Sequence, residues 1–159
     1  EKQMFFFSSK LTSAIIHRNY EYYDNVIPAS NSVMGKNLFL LSKLLGKLEY
    51  QEISKQMLKN VMRQAENHPR GFTNWMDLLL NFKDKFYEVV ITGPDALVRA
   101  RELNTNYLPN KLVAAVDRSD DKPLFRNRFN PDKTLLFVCV DNTCQQPLET
   151  IAETLKTIH

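Results

Sequence analysis

The chain has 159 residues, enough for one domain or for two small subdomains sharing a core. Hydrophobic residues make up 43% and charged residues 25%, the usual range for a folded soluble protein. The net charge is +3 and the pI about 8.8. The basic residues are scattered. Their densest spot, Arg126 and Arg128, lies close to Asp120, Asp121 and Asp132, which excludes the clustered basic stripe of a nucleic-acid binder.

Apolar runs such as Leu78–Leu80 and Leu135–Val140 are far too short to span a bilayer, so no membrane segment is expected. MFFF at Met4–Phe7 is not followed by the apolar core and small-residue cleavage site of a signal peptide. The chain begins in mid-pattern at Glu1 without an initiator Met and reads as a piece of a longer or processed protein. Two cysteines make no disulfide framework, and a reducing cytoplasm is the default compartment.

The first segment, QMFFFSSKLTSAIIHRNYEYY, is aromatic and β-branched, with turn-like Ser8-Ser9-Lys10 inside it, and predicts a β-hairpin. DNVIPASNSV then gathers turn and cap residues. A helix follows, with Met34, Asn37, Leu38, Leu41, Leu44, Leu45 and Leu48 at helical spacing and Gly46 marking its end. A second helix is expected from about Tyr50 to Asn67, with Ile53, Met57, Val61, Met62 and Ala65 on one face. His68-Pro69-Arg70-Gly71 stops it. A third begins at Thr73, a good N-cap, and carries Trp75, Met76, Leu79, Phe82 and Phe86.

After Phe86 the pattern changes. YEVVITG, KLVAAVD and TLLFVCV read as strands. ALVRARELNTNY reads as a helix opened by Pro94-Asp95, and PLETIAETLKTI as one with Pro147 in its first turn. Continuous apolar strands alternating with helices point to a sheet buried on both faces. The expected fold class is therefore mixed α+β and α/β. Residues 1–86 form a helical segment with a leading hairpin, and residues 87–159 a small, mostly parallel three-stranded sheet with helices.

DNVIPASNSV before a Leu-rich helix, YEVVITG, NYLPNKLVA and LLFVCVDNTCQQP together resemble the YyaL-type family of thioredoxin-domain-containing proteins. The motifs stand in the family's order and span nearly the whole chain. Asp24, Asn25, Pro28, Asn31 and Ser32 match the family's D-N-x-x-P-S-G-N-S-V pattern; Ala29 stands where the family has Ser, and Ser30 where it has Gly. The resemblance implies the C-terminal part of a larger cytoplasmic protein, with a thioredoxin-like domain upstream. It also implies an α/α toroid similar to N-acylglucosamine 2-epimerases and six-hairpin glycosidases, whose last helices are residues 1–86. The activity so implied is carbohydrate-acting or redox-linked, the fragment itself being non-catalytic. Its partners would be the remainder of its own full-length chain and a small carbohydrate, with self-association of the fragment through uncovered apolar faces.

Two places offer chemistry. Asp24, Asn25, Ser30, Asn31 and Ser32 gather donors and acceptors at a helix start. A carboxylate with amides and hydroxyls suits sugar hydroxyls, with Asp24 as acid, base or anchor. The same residue types also serve plain N-capping and an Asx-turn. Cys139 sits in a predicted buried strand and Cys144 just before a helix. They read as two small packed residues, as a redox pair, or as part of a metal site. A bond between them closes a short ring, worth about 2 kcal/mol by chain entropy. A structural zinc wants four ligands, and His17, His68 and His159 are far apart in sequence, so no metal is expected. There is no G-x-G-x-x-G or Walker sequence, and no cofactor is expected. Two further readings are a binding or structural module that closes the toroid or recruits a partner, and a thiol switch through Cys139 and Cys144.

Overall fold

A computed structural model of the chain describes residues 3–11, 18–141 and 143–158. They fall into two compact units, Glu1–Ser42 with Lys47–Leu80, and Lys43–Gly46 with Asn81–His159.

The first unit is helical. It contains α1 (Ser30–Leu45) up to Ser42, α2 (Leu48–Asn67), a 3-10 turn at Pro69–Phe72 and the start of α3 (Thr73–Lys83). α2 buries Met57, Val61 and Ala65 of its expected face and Leu58 besides, while Ile53 and Met62 are half-buried. α1 does not bury the leucine stripe as a whole. Its inward face is Asn31, Ser32, Gly35, Leu38, Phe39 and Ser42, while Met34, Asn37 and Leu41 are exposed. Close approach explains the choice. A Cβ on Gly35 would lie 3.1 Å from Leu78 and 3.2 Å from the Trp75 ring, a tight approach that a larger residue would meet only by shifting those side chains. The Ser54 hydroxyl donates to the Gly35 carbonyl at 2.7 Å and ties α2 to the same turn. Trp75, fully buried, donates its indole N–H to the Tyr22 carbonyl at 2.8 Å.

The leading hairpin takes a reduced form among the described residues. Phe6 and Tyr20 make one antiparallel bridge, their rings stacked 4.4 Å apart. Phe7 N–H donates to the Asn19 carbonyl. Residues 12–17, in the middle of the predicted hairpin, lie outside the described residues.

The second unit is built on four strands, β1 (Tyr87–Thr92), β2 (Lys111–Val116), β3 (Leu135–Val140) and the two-residue β4 (Thr143–Cys144), in the order β2-β1-β3-β4. α4 (Ala96–Asn104) connects β1 to β2 and makes that pair parallel. β3 is antiparallel to β1, and β4 to β3. The expected three-stranded, mostly parallel sheet is thus corrected to a mixed one with a single parallel pair. Burial on both faces holds, but it sets the number of layers, not strand direction. One face carries Val89, Ile91, Leu136 and Val138 against Ala96, Leu103, Ile151 and Ile158. The other carries Val90, Phe137 and Leu112 against Leu124, Phe125 and Leu44. Residues 117–134 supply that second cover without a helix, and such a loop delivers β3 antiparallel as readily as parallel.

α5 spans Ile151–Ile158 and starts four residues after Pro147, where the sequence placed it. Its first turn is a capping box. The Thr150 hydroxyl donates to Glu153 Oε2 at 2.7 Å and accepts from Glu153 N–H. The Thr150 bond holds the exposed Glu153 carboxyl below the usual carboxylate range. This capping contribution is present above the unfolded pKa and fades as pH falls through the lower folded one. Pro147 belongs to an extended segment, in which Leu148 exchanges two backbone bonds of 2.8 Å with Leu136.

Gly93, between β1 and α4, has φ +125°, and a Cβ there would run into the Lys133 carbonyl. Gly93→Ala is expected to cost about 1–3 kcal/mol. Urea unfolding would show this as a lower midpoint at unchanged slope; an unchanged midpoint would contradict the geometry.

Candidate functional site

Asp24 sits in the first unit, 4% exposed. Its Oδ1 accepts from Ala29 N–H at 2.9 Å and from the Ser32 hydroxyl at 2.7 Å; its Oδ2 accepts from Asn74 N–H at 2.9 Å. One carboxylate therefore serves the N-terminal ends of both α1 and α3, where amides lack helical partners and the dipole favours an anion. Ser32 also accepts from Asn74 Nδ2 at 2.9 Å. Asn31, fully buried, donates to the Phe5 and Glu21 carbonyls and accepts from Phe5 N–H. Asn25 and Ser30 are exposed; Ser30 N–H donates to Glu21 Oε2 at 3.0 Å. Of the five residues, Asp24, Asn31 and Ser32 thus enter a closed network that joins sequence-distant backbone, and Asn25 and Ser30 stay outside it. The Asp24 oxygens already accept three hydrogen bonds, which is the capping side of the two readings.

The cysteines are the second place, and the second unit brings more to them than their spacing announced. Cys139 and Cys144 are disulfide-bonded and sit directly opposite each other on β3 and β4. On β1 the residue opposite Cys139 is Glu88, and on β2 the residue opposite Glu88 is Leu112. Side chains directly opposite across a sheet share a face. Leu112, Glu88, Cys139 and Cys144 therefore form one row over four strands, on the face that also carries Val90 and Phe137.

Two cations close over this row. The Arg128 guanidinium places Nη2 3.1 Å from Cys144 Sγ and Nη1 3.8 Å from Cys139 Sγ, and it lies over the Phe137 ring. Its carbonyl accepts from the Thr92 hydroxyl at 2.7 Å, which pins the loop to the end of β1. Lys43, from the end of α1, puts Nζ 3.3 Å from Glu88 Oε1 and 3.1 Å from Asp141 Oδ1. Glu88 is 1% exposed, and its Oε1 has no hydrogen-bond partner among the described residues beyond that ion pair. Burial pushes the Glu88 carboxyl above its ordinary 4.5, against the opposing pull of Lys43. The folded state thus holds this proton more tightly than the unfolded chain, and the group's contribution to stability declines as pH climbs past 4.5. Arg128 is shifted downward by burial and upward by Glu88, and stays a cation.

The sequence reading missed Glu88, Lys43 and Arg128 as site residues. Glu88 is the lone charge in an apolar strand run, a signal in itself, since a charge on a two-sided strand must find a partner. Asp141-Asn142 between β-branched residues was the hairpin signal for β4, and Asp141 has φ +49° as such turns require. No group of three or more metal-ligating side chains occurs among the described residues. His68 lies exposed at the end of α2, while His17 and His159 are outside the described residues. No described helix is long and apolar enough to cross a membrane.

Asp24→Ala strands two helix-start amides, while the Ser32 hydroxyl keeps the Ala29 carbonyl as acceptor at 2.9 Å. It is expected to destabilise the protein by about 2–4 kcal/mol while leaving the reduction of Cys139–Cys144 unchanged. Chemical denaturation and a thiol assay on the same variant check both halves. No protein-family model, no curated protein and no solved structure matches the chain.

Proposed function

We propose that the second unit carries a reversible dithiol–disulfide element, in which Cys139 and Cys144 exchange with cellular thiols and so set whether the β3–β4 edge is clamped or open. One observation carries the reading: a single guanidinium within reach of both sulfurs. A cation beside a sulfur favours thiolate over thiol and speeds its exchange. The ring closed by this bond is short, so the bond adds only about 2 kcal/mol by chain entropy, a modest margin that a thiol pool can reverse. β4 has two residues, and beyond it the edge is held by the backbone bonds of Gln145 and Leu148 to β3. The compartment this reading requires is the reducing cytoplasm.

The test is a glutathione redox titration, with alkylation and intact mass as readout. The expected result is a single two-electron transition within the range of cellular glutathione potentials, moved by Arg128→Ala toward the disulfide. A pair that stays oxidised, or stays reduced, across that range sinks the switch.

A second reading follows the family resemblance. We infer that the first unit is the end of an α/α toroid in a larger YyaL-like protein that acts on a carbohydrate, with this chain closing the toroid rather than catalysing. The exposed stripe Val33, Met34 and Leu41 along α1 supports it, because apolar side chains at helical spacing are normally covered. The isolated chain is then expected to self-associate, and replacing the three by Ser, Gln and Gln to leave a monomer. Light scattering after gel filtration decides; a wild-type chain that is monomeric at high concentration removes the support.

A further inference from the structure

Resting on the dithiol–disulfide reading, we propose that Cys144 is the sulfur that takes an incoming small thiol of the glutathione class, and that Glu88 supplies the proton to the departing Cys139. Accessibility separates the two sulfurs. Cys139 is 1% exposed within the sheet, whereas Cys144 is partly exposed on the edge strand. An external thiolate therefore reaches Cys144 Sγ first. Attack there forms a bond between the incoming sulfur and Cys144 Sγ, breaks the Cys139–Cys144 bond, and leaves the electron pair on Cys139. That sulfur is buried, and the Arg128 guanidinium stands nearer Cys144 (Nη2, 3.1 Å) than Cys139 (Nη1, 3.8 Å), so a thiolate left on Cys139 is only partly compensated. Directly opposite it on β1 stands Glu88, a buried carboxyl facing the same side of the sheet. Glu88 gives its proton to Cys139, and the carboxylate left behind is neutralised by Lys43 at 3.3 Å.

A second thiolate then attacks the outer sulfur of the mixed disulfide and departs as the small-molecule disulfide. Cys144 is left as a thiolate beside Arg128 Nη2, 3.1 Å away. Two thiolates are oxidised, one protein disulfide is reduced, and Glu88 recovers its proton from water. In the oxidising direction the Glu88 carboxylate takes the Cys139 proton, and Cys139 displaces the small thiol from Cys144. The groups around Glu88 are Lys43 from α1, Arg128 from the loop of residues 117–134, Asp141 from the β3–β4 turn, Cys139 from β3 and apolar Leu112 from β2.

The experiment measures the rate of reduction of the whole chain by glutathione across pH, divided by the glutathione thiolate concentration. The wild-type quotient is expected to fall about tenfold as Glu88 loses its proton. In Glu88→Gln it should be flat and at the lower level. Lys43→Met, which removes the cation that favours the Glu88 carboxylate, should move the wild-type fall to higher pH. This shift keeps the test decisive should the Glu88 variant fold poorly. Acid-quenched reactions should carry the glutathione adduct on Cys144. A wild-type profile shared by Glu88→Gln, an unmoved profile in Lys43→Met, or an adduct on Cys139 each overturns the assignment while leaving reversible exchange intact. A wild-type pair that glutathione cannot reduce overturns instead the reading beneath it.

Discussion

β1 has no solvent side. Val89, Val90 and Ile91 are each fully buried, so consecutive residues, which point to opposite faces, are all out of water. A strand in that position has to be covered twice, and the second unit follows from how the covers are made. α4 and α5 close one face with aliphatic side chains. The other face is closed by residues 43–46 and by the loop of residues 117–134, with Leu44, Leu124 and Phe125 in the layer. Glu88 stands on that second face. Its charge would be costly to bury alone, by several kcal/mol. The fold meets it with Lys43, itself only 5% exposed, and sets Arg128 along the same row. The two cations divide the row between them: Lys43 answers the buried carboxylate, and Arg128 faces the sulfurs.

The first unit solves a different problem with a carboxylate. Its helices begin close together, and helix beginnings leave N–H groups without partners. Asp24 meets two of these beginnings at once, reaching residues five and fifty positions away. The polar core this makes, with Asn31, Ser32 and Ser54, is satisfied by hydrogen bonds to backbone and to Asn74. It therefore joins the segments before α1, α1 itself and α3 by hydrogen bonds, beside the buried apolar side chains of the same helices.

Much of this was legible in the residues, and the misses have common causes. Helical spacing located α1, α2 and α3 to within a few residues, and apolar β-branched runs located β1, β2 and β3. The apolar face of α1 was misread because the leucines are the louder pattern. Gly35 and Ser42 face inward for reasons of distance and hydrogen bonding, which hydropathy does not register. Strand direction was misread because β3 returns through an irregular loop. The start of α5 was assigned to Pro147, although Thr150 and Glu153 carry a stronger signature three residues apart. The cysteines were recognised as a candidate pair, but their neighbours Glu88 and Lys43 are separated from them by long stretches of chain, and Arg128 comes from an irregular loop. Only the fold shows that Glu88 shares their row and that Lys43 and Arg128 close over it.

The brevity of β4 bears on how this protein behaves in a crowded solution. A strand edge with open N–H and C=O groups invites another chain to add to it. Along β3 that edge is occupied first by Thr143 and Cys144, then by Gln145 and Leu148, which bond to Val138 and Leu136. It is a thin guard of few residues, fastened at one end by a sulfur–sulfur bond and at the other by the capped start of α5. A chain that loses the first fastening keeps the second. Without that bond the sheet has a latent place for one more strand, beside the outer end of β3.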